Sequence, residues 1–354
     1  METKSSSAVL ASKVEPLCPV FHECGGCLYQ DIPYEEELKI KENHLRKLFH
    51  SVLGYEGNDF FRPIVASPKE YAYRHRLDLT LRRTKTDGIL FGFQSAASHK
   101  MIPIDACSIA RQEVSDYLPE LRKLSLEKMT EKYRTANLVI KTGDDGRVKW
   151  GGIGRRSLEL KPEDYLWTEI HGRRIFYSLD SFFQANLSIL PRLMDEIESL
   201  VSFDSDTCFL DLYAGVGLFG IYFAERAGKI LMIEASEPSL AVMKHNIAYH
   251  HLENKVELVI DRVESVLAPL SVHIASRKSV AIIDPPRNGL HPEALECLAA
   301  MKSLSGLLYL SCHPESLMRD LQHFLKEGWK IQSVTPFDFF PKTQHLETLV
   351  LLCR

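Results

Sequence analysis

The sequence predicts an α/β fold in which a mostly parallel, Rossmann-like seven-stranded sheet carries helices on both faces and follows an α+β region. Three observations carry this expectation. From Leu190 onward, apolar runs of strand length alternate with helical stretches, as in a parallel sheet. The first run, Phe209-Leu210-Asp211-Leu212-Tyr213, opens into the glycine-rich turn Gly215-Val216-Gly217-Leu218-Phe219-Gly220. Before residue 177, apolar and basic residues instead alternate with period two, as in Leu77-Asp78-Leu79-Thr80-Leu81-Arg82. A chain of 354 residues exceeds one ordinary core and implies about two domains. The expected division is a mobile leader over 1–15, an α+β region over 16–177 and an α/β domain over 178–354.

Taken in order, Tyr34 to His50 spaces Leu38, Ile40, Leu45 and Leu48 as an amphipathic helix. Tyr71 to Pro103 reads as a hairpin-rich sheet turning at Asp87-Gly88. A helix over Val114 to Tyr133 and a hairpin over Asn137 to Ile153, centred on Gly143-Asp144-Asp145-Gly146, complete the first region. The later strands are expected at Cys208–Tyr213, Ile230–Ile233, Val256–Ile260, Val280–Ile283, Leu307–Leu310, Ile331–Thr335 and Thr348–Cys353. Between them fall helices such as Pro238–His250, Pro292–Met301 and Pro314–Lys326.

Net charge is −4, which argues against a protein basic throughout, but the charge is uneven. The middle third is basic and sets Arg74, Arg76, Arg82, Arg83, Lys85, Arg155, Arg156, Arg173 and Arg174 among Tyr71, Tyr73, Phe91 and Phe93. Cations interleaved with aromatic rings suit phosphates and unstacked bases, although such a run also serves as a plain solvated face. No apolar run reaches the ~20 residues that span a bilayer, and the first residues lack a signal-peptide core, so a cytoplasmic protein without a membrane partner is expected.

The eight cysteines do not read as a disulfide framework. Cys18, Cys24 and Cys27 form a C-x5-C-x2-C cluster around a glycine pair, and Cys107 is the natural fourth member. Four thiolates suit zinc or an iron–sulfur cluster equally well by spacing.

The glycine loop, with Glu234 about twenty residues on, fits a nucleoside cofactor, and taken alone also fits a dinucleotide such as NAD. Asp284, in Asp284-Pro285-Pro286-Arg287-Asn288-Gly289, follows a strand into a rigid turn at the sheet's carboxyl edge, which tips the balance from the dinucleotide. Cys312 stands between an apolar strand and Pro314, the first residue of a helix. A thiol near a helix N-terminus is expected to favour the thiolate, the nucleophilic form. Cysteine also serves widely as a small, inert hydrophobe.

In order, the cysteine cluster, Ser181-Phe182-Phe183-Gln184-Ala185-Asn186, the glycine loop, the Asp284 segment, Ser311-Cys312-His313-Pro314 and His345-Leu346-Glu347-Thr348 resemble the S-adenosylmethionine-dependent RNA uracil-5 methyltransferases. The resemblance spans nearly the whole chain and implies a class I methyltransferase domain. Its iron–sulfur cysteines are similar to those of the branch acting on 23S ribosomal RNA. It implies Cys312 as the nucleophile that adds to uracil C6 and Glu347 as the base that removes the C5 proton. It further implies S-adenosylmethionine contacts at Gln184, Tyr213, Glu234, Asp261 and Asp284, and a [4Fe–4S] cluster on Cys18, Cys24, Cys27 and Cys107. No obligate protein partner is implied.

Three features depart from the family pattern. His313 replaces the usual Asn after the cysteine, and is expected to change local polarity or to titrate near neutrality. Leu218 replaces a polar loop residue found in some relatives, so one cofactor contact is expected to be missing. An N-terminal RNA-binding β-barrel carried by some relatives is expected to be absent. A transfer-RNA uridine methyltransferase and a non-catalytic iron–sulfur RNA-binding protein remain the alternatives.

Overall fold

The structure, a computed structural model, describes residues 13–55, 59–95, 98–152, 160–273 and 278–354. Arg155, Arg156 and most of the expected leader lie outside the described residues. The first helix, α1 (Tyr34–Leu53), has three acidic residues in its first turn and stops at Gly54, whose left-handed φ of 70° lets its N–H reach His50 O.

The first sheet is antiparallel. Strands β1 (Arg76–Arg83), β2 (Ile89–Gln94), β3 (Met101–Pro103), β4 (Thr135–Thr142) and β5 (Val148–Gly151) lie in the order β3-β2-β1-β4-β5. Alternate residues such as Leu77, Leu79 and Leu81 face inward, where α2 (Gln112–Lys128) covers them with Val114, Leu118 and Leu121. A hairpin of β6 (Leu166–Ile170) and β7 (Arg173–Tyr177) follows, then α3 (Leu190–Leu200).

The second sheet has seven strands. These are β8 (Cys208–Leu212), β9 (Lys229–Glu234), β10 (Val256–Ile260), β11 (Ser279–Ile283), β12 (Leu304–Ser311), β13 (Lys330–Phe337) and β14 (Glu347–Cys353), in the order β10-β9-β8-β11-β12-β14-β13. The pairs from β10 through β12 are parallel, whereas β14 runs antiparallel to both β12 and β13. Expectation and structure agree on all seven strands to within about three residues at each end. The strand order reverses between β8 and β11, which opens a crevice at their carboxyl ends.

Helices α4 (Leu218–Phe223) and α5 (Glu237–Tyr249) join α3 on one face. Helices α6 (Val263–His273), α7 (Pro292–Ala300) and α8 (Pro314–Lys326) cover the other. Space divides the chain differently from sequence. Leu45 and Phe49 of α1 pack in the core beneath α8, and the β6–β7 hairpin is held to α5 by Asn246, which pairs with both the N–H and the carbonyl of Phe176. Both elements precede residue 178 yet build the second sheet's layers.

A buried charge network locks α1 in place. Lys41 Nζ donates to Glu37 at 2.7 Å and to Asp338 at 2.8 Å, and Tyr34 donates to the other Asp338 oxygen at 2.8 Å. Removing one partner from such a network strands the remaining charges in the core. Lys41→Met is therefore expected to lower unfolding stability by about 3–5 kcal/mol, read from the urea midpoint; a loss below about 1 kcal/mol would show that the network contributes little.

Candidate active site

Strand β12 is buried almost throughout and delivers Cys312, half-buried, to the carboxyl edge of the sheet. Pro314 opens α8 at its first position, and His313 is the cap: its extended backbone turns the imidazole Nδ1 to accept from Ser316 N–H at 3.4 Å. His313 thus does locally what the usual Asn would do, with a ring in place of an amide oxygen.

Glu347 reaches the same edge because β14 runs antiparallel to β12. Ser311 pairs with Thr348, so the start of β14 lies beside the end of β12. Glu347 is 4 % exposed, and its Oε2 has no hydrogen-bond partner. Asp284 follows β11, one strand away, and accepts from Gln184 Nε2 at 2.7 Å.

These groups set one another's protonation. Burial, then the neighbouring Asp284 charge, raises Glu347 well above the usual carboxylate range, while Arg287 opposes. Burial likewise pushes Asp284 up to about 7, against the Gln184 hydrogen bond. Cys312 is pushed up to about 11 by burial and by the carboxylates of Glu347 and Asp284, again opposed by Arg287. The expectation of a thiolate favoured by the helix end is therefore overturned. A helix terminus contributes only about 0.3–1 kcal/mol at an exposed site, and burial beside two carboxylates outweighs it.

A cleft of about 470 Å³ opens onto Cys312, walled by Arg287, His345 and, from the N-terminal region, Tyr29, Ile40 and His44. Sequence reasoning passed over these wall residues. Arg287 belongs to a quoted motif but was given no task; Tyr29, Ile40 and His44 belong to none, the last two arriving because α1 packs on α8 and Tyr29 because its N–H donates to Lys342 O.

Behind Asp284 lies a second pocket, lined by Phe182, Gln184, Tyr213, Gly215 and Leu218. Tyr213 adopts a left-handed φ of 63° at the end of β8. The glycines have distinct tasks. Gly215 has φ 57° with open space at its Cβ position, whereas a Cβ on Gly220 would strike Met232. Gly220 therefore serves packing rather than ligand approach, and its N–H donates to buried Asp211 at 2.8 Å. Glu234 accepts from Gly215 N–H at 2.7 Å and from Ala235 and Ser236, leaving a carboxylate lone pair for a further donor. Asp261, exposed at the end of β10, accepts from its neighbour Arg262 N–H at 2.7 Å and does not line this pocket.

Cys18, Cys24, Cys27 and Cys107 line one cavity of about 280 Å³, with buried Gln30 bonded to Cys18 N and Ser108 Oγ. Among the described residues, no three His, Cys, Asp or Glu side chains are placed to hold a metal ion. Several of the basic residues are engaged within the chain: Arg76 pairs with Asp78, Arg173 with Glu225 and Ile221 O, and Arg83 reaches Met129 O. No helix among the described residues is long and apolar enough to cross a membrane.

Comparison with known proteins points the same way. A Clostridium tetani protein named an uncharacterized RNA methyltransferase is 28% identical over 98% of this chain and 85% of its own length. The 23S rRNA (uracil(1939)-C(5))-methyltransferase RlmD of Aliivibrio salmonicida is 24% identical over 99% of this chain and 84% of its own. Among solved structures, the Pyrococcus abyssi tRNA (uracil-54, C5)-methyltransferase in complex with S-adenosyl-L-homocysteine shares the fold, with a TM-score of 0.72, 23% identity and coverage of 92% of this chain and 85% of that one. The family model for tRNA (uracil-5-)-methyltransferases matches residues 155–354, which contain the thiol, both carboxylates and the second pocket, and the chain belongs to that family.

Proposed function

We propose that this enzyme forms 5-methyluridine in 23S ribosomal RNA, with Cys312 as nucleophile and Glu347 as base. The observation that carries the reading is the meeting of Cys312, Glu347 and Asp284 at one sheet edge, between an open cleft and the pocket of Gln184 and Tyr213. The choice of ribosomal RNA draws on the RlmD relative, which aligns across 99% of the chain. A transfer-RNA uridine is the second reading, favoured by the name of the family model.

S-adenosylmethionine, when bound, supplies an electrophilic methyl group. Gln184, Tyr213 and Asp284 would hold it from the pocket, Glu234 through its remaining lone pair, and Asp261 from the rim of the sheet. The target uracil, flipped out of its strand, enters past Arg287. Cys312 first gives up its thiol proton to water in the open cleft; the thiolate sulfur then bonds to C6, and the C5–C6 electron pair moves toward the O4 carbonyl as an enolate. The C5–methyl bond forms as the donor's sulfur–methyl bond breaks. Glu347 then takes the C5 proton, the freed pair restores the ring double bond, and Cys312 leaves as thiolate. Glu347 acts in its ionised form, and its raised proton affinity makes that carboxylate a stronger base than an exposed one.

The four cysteines are assigned to a [4Fe–4S] cluster. The support for this is that all four line one cavity, as the thiolate ligands of a single group must.

Cys312→Ala is expected to abolish 5-methyluridine formation, assayed on purified ribosomal and transfer RNA side by side. RNA containing 5-fluorouridine should trap a covalent adduct with the wild type only, since fluorine replaces the proton that Glu347 removes; an active Cys312→Ala enzyme would sink the mechanism. With Cys312 pushed up to about 11, its thiolate is scarce at neutral pH and increases with pH. Labelling of Cys312 by iodoacetamide, followed by peptide mass spectrometry, should accelerate about tenfold per pH unit from 7 to 10; a plateau below pH 9 would contradict this. Anaerobically purified protein should be brown, and Cys107→Ser should lose the colour. A colourless wild type with stoichiometric zinc would refute the cluster.

A further inference from the structure

Lys141 sits near the end of β4 in the five-stranded sheet and has no exposed surface. Among the described residues no carboxylate pairs with its ammonium. Instead it donates to two backbone carbonyls, Ser178 O at 2.9 Å and Ser181 O at 2.6 Å. The turn between them is also closed from within, Ser178 N–H donating to Ser181 Oγ and Ser181 N–H to Ser178 Oγ. The next residue on β4, Thr142, accepts the Tyr177 hydroxyl at 2.7 Å. The end of β4 thus grips residues 177–181 at several points.

Beneath the grip is an aromatic stack. Tyr177 and Phe183 lie face to face at 4.5 Å, and buried His75 meets both edge-on while its ring nitrogens have no hydrogen-bond partner. The turn runs directly into Phe182, Phe183 and Gln184, all of which line the second pocket, and Gln184 is the residue that donates to Asp284.

A buried ammonium with only neutral acceptors is an unfavourable choice for a core position. Burial first, then nearby Arg76, draws Lys141 down to about 7, while Asp78 and Asp180 oppose. An apolar side chain of similar length would avoid that cost. What it would not do is hold two carbonyls in fixed positions.

We propose that Lys141 is a positioning residue for cofactor binding: its ammonium clamps the 178–181 turn from the five-stranded sheet, so that Gln184 stands against Asp284 at the pocket rim. The inference rests on the reading that this pocket holds S-adenosylmethionine, and it makes the first sheet part of the cofactor site's support.

The test compares cofactor affinity with stability. S-adenosylmethionine and S-adenosylhomocysteine are titrated calorimetrically into the wild type, Lys141→Met, Gln184→Ala and the double variant, and each is melted. Lys141→Met is expected to melt at or above the wild type while binding both ligands about tenfold more weakly. In the Gln184→Ala background the same change should cost less than about twofold, because both residues act through one contact. Wild-type affinity in Lys141→Met, a joint loss of melting temperature and affinity, or losses that simply multiply would each overturn the inference. Should Lys141→Met not fold, Lys141→Leu, which likewise removes the donor, takes its place with the same expected loss, and wild-type affinity there would overturn the inference equally. A wild type that binds neither ligand would instead refute the pocket reading itself.

Discussion

Much of this molecule follows from one constraint, the confinement of two carboxylates and a thiol to a single poorly solvated sheet edge. Burial raises the proton affinity of both carboxylates, that of Glu347 further through the Asp284 charge, and burial followed by these two charges raises that of Cys312. Arg287 is the cation that offsets them, and it stands in the wall of the cleft through which a base would arrive. A thiol whose proton affinity is raised by burial reacts slowly with electrophiles and oxidants. The same low-dielectric surroundings strengthen whatever charge separation a bound substrate brings.

That edge is held from two directions. From one side, α1 fixes the segment between β13 and β14 through Lys41 and Asp338, and the carbonyl of Lys342 accepts from the N–H groups of Leu28 and Tyr29. Lys342 adopts a left-handed φ of 67° to do so, and lies only a few residues before Glu347. The chain leaving the cysteine cavity is therefore stitched to the chain that enters β14. From the other side, β4 supports the turn that leads to Gln184. Both supports come from the part of the chain ahead of residue 178.

The parallel sheet was legible in the sequence because buried strands are continuous apolar runs separated by helical stretches, a pattern that survives without tertiary information. Cys312, Asp284 and Glu347 each end or begin such a run, so their shared place at one sheet edge could be read from the pattern, whereas the roles proposed for Cys312 and Glu347 draw on the family resemblance. The spatial membership of α1 was not: its charged sequence describes an amphipathic helix but not the partner for its apolar face, and Glu37 and Lys41 read as surface charges until Asp338 is seen beside them. The thiol's raised proton affinity was hidden for the same reason, since the helix end is local in sequence while the carboxylates that outweigh it come from β11 and β14. His313 looked like a candidate titrating group, and its visible task is a helix cap.

The pairing of β12 with β14 carries a consequence for how the family's length can vary. Nucleophile and base are neighbours across a hydrogen-bonded ladder, Ser311 opposite Thr348, rather than across a loop. An insertion in the exposed turn between α8 and β13, at Glu327-Gly328, leaves that neighbourhood untouched. A single residue gained or lost inside β14 would turn the carboxylate to the opposite face of the sheet. The separation of the two reacting groups is thus encoded in strand parity, which fixes the length of the ladder more strictly than that of an exposed turn.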